Sequence, residues 1–388
     1  MKAKALSGAE SVANAMRQID PDVVPAYPIT PQTDIMHAYA KFVADGVVSG
    51  ELIRVESEHS AMSAAVGAGM AGARVMTATS ANGLALMWEI VYIASSLRLP
   101  MCMAVVNRAL SAPINIHCDH SDSMGCRDTG WMQMYAENNQ ESYENMIFGM
   151  KYAEKAKLPF MMCLDGFITS HGIEPVTLFE DEKVKAFLGE HKQDYPLLDV
   201  DNPTTVGPLD LFDYYFEHKR KQSEGMFLAK GIFLEVAKDF EATFGSKIDI
   251  FEKYHTDDAD TVIVAMSSTC GTAKEVVDKL RVEGRKIGLL KLRLFRPFPS
   301  YELKEVLKGK KVIAVLDRCE SFGAFGGPLF SEIRSALYEV SKPKICNYIY
   351  GLGGREIDMA MIESIFDEIE KYTTADIKDF VKYLGVRE

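Results

Sequence analysis

Three short stretches hold side chains whose types and spacing could do chemistry, and each follows an apolar run. Ala26-Tyr27-Pro28-Ile29-Thr30-Pro31-Gln32-Thr33 brackets a threonine between two prolines. A proline restricts its own backbone and that of its predecessor, so the loop is stiff and can aim the Thr30 hydroxyl. A strand-to-helix turn with Thr33 as N-cap accounts for the same residues. Val55-Glu56-Ser57-Glu58-His59 places Glu58 where a strand gives way to a helix of small residues. There the carboxylate either satisfies the helix N-terminus or stays buried as an acid that protonates a ligand nitrogen. Val105-Val106-Asn107-Arg108 ends an apolar run in an arginine. Its fork of donors suits a carboxylate, and it equally reaches solvent from a sheet edge.

The elements that must position these residues follow from hydrophobic periodicity. Strands are expected over Val23–Tyr27, Leu52–Val55, Arg74–Ala78, Met101–Asn107 and Phe160–Leu164. Runs such as Met-Cys-Met-Ala-Val-Val are apolar at every position, as in parallel strands covered on both faces. Helices are expected over Gly8–Gln18, Thr33–Ala44, Glu58–Gly72, Gly83–Ser96 and Ser142–Lys157. The alternation reads as an α/β doubly wound parallel sheet, whose ligands bind at the carboxyl ends of the strands, where all three stretches fall.

From about residue 175 the pattern degrades into loops and a long polar helix from Leu209 to about Phe244, and acidic Asp257-Asp258-Ala259-Asp260 marks a boundary. Alternation then restarts. Strands are expected at Thr261–Met266, Ile287–Phe295, Lys311–Leu316 and Lys344–Tyr350, with helices at Gly271–Glu283, Ser300–Lys308, Pro328–Val340 and Ile357–Lys371. We therefore expect one domain over residues 1–256, including a polar helical extension from about 175, and a smaller α/β domain over 257–388.

Several other patterns carry a functional and an ordinary reading. Gly67-Ala-Gly69-Met-Ala-Gly72 matches a dinucleotide fingerprint, which would make the chain an NAD-dependent dehydrogenase. That motif needs a strand before it and a helix opening on it, and here the order is reversed. Close helix packing explains the small residues. Ile116-His117-Cys118-Asp119-His120-Ser121-Asp122, with Cys126 beyond, offers metal ligands, but most are adjacent, which one backbone stretch rarely arranges tetrahedrally, so no metal site is assigned and these read as polar loop residues near a site or an interface. Gly323–Gly327 and Gly351–Gly354 read as phosphate cradles or as tight turns. His218-Lys219-Arg220-Lys221 reads as a solvated helix face or an anchor for coenzyme A phosphates.

The 388 residues are 47% hydrophobic with a net charge of -12. That charge argues against nucleic-acid binding, which needs a basic face. No run approaches the about 18 apolar residues of a membrane helix. The first residues lack a signal core, and seven irregularly spaced cysteines form no disulfide framework, so a cytoplasmic location is expected. There is no C-x-x-C, the spacing that iron–sulfur and zinc sites favour.

Taken together, the stretches AYPITPQT at 26–33, VESEHSAMSAAVGAGMAGARVMTATSANGLALM at 55–87 and NRALSAPINIHCDHSDSMGCRDTGWMQ at 107–133 resemble the 2-oxoacid:ferredoxin oxidoreductase family, within it the pyruvate:ferredoxin oxidoreductase α subunit. YAENNQE at 135–141, LDGFITSH at 164–171, LRLFRPFP at 292–299 and YGLGGRE at 350–356 extend the resemblance over nearly the whole chain. It implies a thiamine-diphosphate-binding-like domain followed by a transketolase C-terminal-like domain. It implies that Glu58 contacts N1′ of the cofactor's aminopyrimidine, that Thr30 and Arg108 hold a 2-oxoacid, and that Pro28, Ile29 and Asn82 also contact the cofactor. A carboxylate on N1′ favours the imino tautomer that takes the C2 proton, so Glu58 acts through the cofactor's own ring.

The family's Gly-Asp-Gly diphosphate–magnesium signature is absent. The resemblance therefore places Mg and the [4Fe-4S] clusters in β, γ and δ subunits or fused equivalents. Thiamine diphosphate is shared with one of them, and the chain is active only in the complex. The reaction implied converts pyruvate and coenzyme A to acetyl-CoA and carbon dioxide, with electrons passed to ferredoxin. The same chemistry on a branched-chain or aryl 2-oxoacid is the alternative.

Overall fold

The computed structural model describes residues 3–339 and 342–387. A seven-stranded sheet forms the larger unit. Across it lie Leu294–Arg296, Met132–Tyr135, Phe160–Asp165, Met101–Asn107, Val75–Thr79, Val23–Ala26 and Glu51–Arg54. All pairings are parallel except that of Leu294–Arg296. Residues of the central strand Met101–Asn107 alternate between two cores. Cys102, Ala104 and Val106 face the helices Gly8–Ile19, Asn139–Ala156 and Tyr215–Phe244. Met101, Met103 and Val105 face the other way. Burial on both faces is what its unbroken apolar run requires.

The second sheet runs Val381–Leu384, Lys344–Tyr350, Val312–Asp317, Thr261–Met266, Ile287–Leu292 and Phe251–Tyr254, the last antiparallel. Its outer face is covered by Thr269–Val282 and Met359–Lys371. On its inner side, Val262, Val264, Leu290 and Val315 share one buried cluster with Met103, Val105, Met161 and Cys163 of the first sheet.

Most expected elements lie within a few residues of their places, and four differ. Ile287–Phe295 is two strands: Ile287–Leu292 stays in the second sheet, and after Arg293 the chain crosses to pair with Met132–Tyr135. The crossing is held by Arg293 N and Leu294 N, which both donate to Ile250 O. Gly83–Ser96 is two helices, Ala81–Leu86 and Trp88–Ser96. The long helix starts at Tyr215, after a turn in which Tyr215 N donates to Leu211 O. Pro328–Val340 is helical over Pro328–Leu337, and Val340 lies outside the described residues. The short strands Ala3–Ser7 and Ile173–Thr177, which pair with each other, had no periodic signal to announce them. Phe251–Tyr254 belongs to the second sheet although it precedes residue 257, so the two units exchange edge strands across the expected boundary.

Candidate active site

Glu58 opens the helix Glu58–Ala71. The side-chain cap is made by Ser57, whose Oγ accepts from Ser60 N at 3.2 Å, and Glu58 is the acid of the first turn. Glu58 is left buried, at 7% exposure, and among the described residues its carboxylate has no hydrogen-bond or ion-pair partner. Its Oε1 lies 2.7 Å from the point where Gly83 would carry a Cβ, and Thr79 Oγ1 lies 2.6 Å from the same point. That threonine oxygen is buried without a partner. A carboxylate and an unpartnered buried hydroxyl set against a glycine form a cradle for a ligand's edge, since buried polar groups otherwise find partners. These residues fit an aminopyrimidine.

A methyl at position 83 would collide with both oxygens. Gly83→Ala is expected to push Glu58 and Thr79 aside, at some cost in stability, and to cost activity by about 10²-fold, because a displacement of about 1 Å at a reacting group has that effect. Steady-state turnover measured well below the variant's own melting transition checks this.

Arg108 is buried at the carboxyl end of its strand rather than reaching solvent. Nη1 donates to Thr30 O at 2.8 Å and Nε to Asn115 O at 3.0 Å. Thr30 and Arg108, 78 residues apart, are thus brought together. The guanidinium has five N–H groups, and its remaining donors stay available for a carboxylate. Thr30 and Pro28 are exposed and Ile29 is half-buried. Gln32, not Thr33, is the N-cap of Thr33–Ala44, and it makes no side-chain cap. Its Oε1 instead accepts from Ile29 N at 3.2 Å and braces the loop. Asn82 lies one residue before Gly83 and is tied to Ser111 by a reciprocal pair of bonds, Nδ2 to Ser111 Oγ at 2.8 Å and Ser111 N to Oδ1 at 3.2 Å.

The His117–Cys126 stretch brings Cys118 and His120 to Asp165, with ligand atoms within 4.8 Å of one another. Asp165 is already engaged: His120 Nε2 lies 2.8 Å from Oδ1, and Arg318 Nη1 and Ser268 Oγ reach Oδ2. The guanidinium stands where a metal cation would compete with it. Burial alone would raise the Asp165 carboxyl, but Arg318 and His120 outweigh it and hold it well below the usual carboxylate range.

Both glycine-rich turns are filled by the protein itself. Asp317 accepts from Leu329 N and Phe330 N at the start of Pro328–Leu337, so its own carboxylate takes the anion position there. Gly353 O accepts from Asn115 Nδ2 at 3.0 Å and Gly354 N donates to Cys118 O at 2.7 Å, which docks the second unit on the loop behind Arg108. His218 pairs with Asp210, Lys219 lies over the Tyr215 ring and Arg220 pairs with Glu224, so three of the four basic residues are engaged locally. Gly67 and Gly69 lie inside the helix Glu58–Ala71 rather than at its start, and Gly69 faces Leu99 and Met101, just before and at the start of the central strand. The dinucleotide reading lacks its structural context.

Sequence reasoning missed Gly83, Asn115 and Asp165 beside these residues, and Asp122, whose Oδ2 accepts from Arg108 N at 3.0 Å. Asp165 ends an apolar run as Arg108 does, a signal that could have found it.

The fold resembles that of two solved structures. The 2-oxoglutarate:ferredoxin oxidoreductase from Magnetococcus marinus matches 95% of this chain with a TM-score of 0.73 at 19% identity, and the chain spans 65% of that longer one. A split-gene transketolase matches 95% of this chain and 96% of its own at a TM-score of 0.56 and 11% identity. These show the class of fold: two α/β units arranged as in that oxidoreductase and that transketolase.

Residues 14–238 match the family model for pyruvate flavodoxin/ferredoxin oxidoreductase, thiamine-diphosphate-binding, and residues 259–362 match the pyruvate:ferredoxin oxidoreductase core domain II. The chain is 59% identical over 99% of its length, and 98% of the relative's, to pyruvate synthase subunit PorA of Thermotoga maritima. It is 48% identical, with the same coverage, to that of Methanocaldococcus jannaschii. Ketoisovalerate oxidoreductase subunit VorA of Pyrococcus abyssi is 45% identical over 95% of this chain and 93% of its own. The chain belongs to the pyruvate:ferredoxin oxidoreductase family and is of the kind that serves as one subunit of such an enzyme.

Proposed function

We propose that residues 1–256 supply the pyrimidine side of a thiamine diphosphate site shared with a partner subunit, that residues 257–388 brace it, and that the complex oxidatively decarboxylates pyruvate. One observation carries this reading: a buried carboxylate, Glu58, with no partner of its own beside a glycine cradle. Thiamine diphosphate, when bound, would supply a carbon nucleophile and an electron sink for the decarboxylation. Glu58 holds the proton at pyrimidine N1′. Pro28, Ile29 and Asn82 border the cofactor. The free donors of Arg108 take the substrate carboxylate and the Thr30 hydroxyl takes an adjacent oxygen. Arg108 serves placement more than tight binding, since overstabilising the ground-state carboxylate would slow its departure.

With no Gly-Asp-Gly signature and no C-x-x-C in the sequence, Mg and the [4Fe-4S] clusters fall to β, γ and δ partners, which hand the electrons to ferredoxin. Coenzyme A accepts the acyl group. No helix among the described residues is long and apolar enough to cross a membrane, and all seven cysteines are free and buried, which supports a cytoplasmic setting.

Pyruvate is favoured over a branched 2-oxoacid because the relatives of 59% and 48% identity are named pyruvate synthase subunits, against 45% for the ketoisovalerate enzyme's. Reconstitution with the partner subunits and comparison of kcat/KM for pyruvate and 2-oxoisovalerate tests this. Pyruvate should be preferred by at least about tenfold, within the range that one or two extra methylenes can discriminate. Preference for the branched acid overturns the substrate, and turnover by the chain alone overturns the shared site.

A further inference from the structure

The carboxylate of Asp122 is fully buried and accepts four hydrogen bonds, all from neutral donors. Oδ1 takes Asn107 Nδ2 at 2.7 Å and Ser123 N at 2.7 Å. Oδ2 takes Ala81 N at 2.9 Å and Arg108 N at 3.0 Å. The last two donors come from the carboxyl ends of two adjacent strands, Val75–Thr79 and Met101–Asn107, and they converge on one oxygen atom. Ala81 opens the helix Ala81–Leu86, whose first turn carries Asn82 and Gly83, the residue against which Glu58 rests. Arg108 carries the guanidinium beside Thr30.

Ala81 has a φ of +39°, a region that residues with a Cβ rarely occupy and that the surroundings must enforce. Two bonds enforce it: Asp122 takes the Ala81 N–H, and Ser80 Oγ donates to Val106 O at 2.7 Å. A buried charge without a cation is a costly way to cap a helix of five residues, Ser121–Gly125. An exposed serine or asparagine would cap it at no such cost.

We infer that Asp122 is a positioning residue for the proposed reaction, one carboxylate oxygen setting the cofactor-facing turn and the substrate arginine at a fixed distance from each other. This rests on the thiamine reading above. Burial pushes the Asp122 carboxyl up to about 6, against the pull of its hydrogen bonds, so the anion is kept at a cost to the folded chain. An anion is what four converging donors need. Asparagine has one acceptor oxygen, and its amide would meet either the Ala81 and Arg108 donors or the Asn107 and Ser123 donors with N–H groups.

The test is Asp122→Asn in the reconstituted holoenzyme, with two readouts besides turnover: the KM for the 2-oxoacid relative to that for coenzyme A, and C2 hydrogen–deuterium exchange of bound thiamine diphosphate. We expect the 2-oxoacid KM to rise and the exchange to slow, each by about tenfold, as loss of a buried acceptor implies, with the coenzyme A KM unchanged. A fall in kcat alone, with KM and exchange as in the wild type, overturns the inference. If Asp122→Asn does not assemble, Asn107→Ser decides: it removes one donor that aims Asp122 and should move both readouts the same way, and no movement overturns the inference. Glu58→Gln measured alongside separates the two levels. If it exchanges normally, the thiamine reading itself fails. If it is defective while Asp122→Asn behaves as wild type in both readouts, only the positioning role fails.

Discussion

Glu58→Gln in the assembled enzyme is expected to lower turnover by about 10²–10⁴-fold, the range for removal of a positioned acid–base group. Glutamine keeps the side chain's volume in the space against Gly83 and leaves the Ser57 cap untouched, so the helix Glu58–Ala71 should persist. On the proposed function, what it removes is the capacity to hold a proton against a ring nitrogen. The loss should therefore appear in C2 exchange as strongly as in turnover, while the KM for the 2-oxoacid, which that proposal assigns to Arg108 and Thr30, should change little. Exchange at the wild-type rate would show that the carboxylate does not act through the cofactor ring.

Asp165→Ala is expected to be the most destabilising single change in the interface between the two units, by about 3–5 kcal/mol. Asp165 and Arg318 are both buried, and Arg318 Nη1 donates to Oδ2 at 2.9 Å. Removing the carboxylate strands a guanidinium in a low-dielectric contact and leaves His120 and Ser268 without their acceptor. The loss is comparable with the whole stability of many domains, so the variant's thermal transition should drop and broaden or split. Asp165→Asn paired with Arg318→Met should recover much of it, since replacing both partners leaves no unpaired charge.

The pH dependence has a defined sign. The folded-state pKa of Asp165 is depressed, so its contribution is fully present above the unfolded value of about 4 and is lost as pH falls through the folded one. The transition of the wild type should therefore weaken below about pH 4, and that of Asp165→Ala should lose less over the same range. Equal melting curves for wild type and Asp165→Ala at pH 7 would show that the ion pair is not what joins the units.

Much of this was legible along the chain. Met101–Asn107 and Phe160–Asp165 declared themselves as doubly buried strands because every position is apolar until the last, and in each the last is a buried polar residue, Asn107 or Asp165, held by hydrogen bonds. Glu58 was visible because it interrupts the change from strand to small-residue helix. The exchanged edge strands were not legible. Phe251–Tyr254 and Leu294–Arg296 are too short and too little alternating to show which sheet they complete, and a continuous run through Leu292 reads the same whether or not the chain crosses over at Arg293. Asp122 looked like one polar residue among several in a loop. Only the order of strands in the sheet makes it the common acceptor of Ala81 and Arg108.

From its own residues the chain specifies its helices and strands and which polar groups stand at the strands' carboxyl ends, because periodicity and turn chemistry are properties of neighbours in sequence. Folding in three dimensions decided the rest: that Arg108 would be held by Thr30, that Glu58 would face Gly83 with no partner, and that Arg318 would close on Asp165 from the second unit. Those pairings depend on which strands become neighbours and how two units dock, and hydrogen bonds and ion pairs act over a few ångströms of space whatever the separation along the chain.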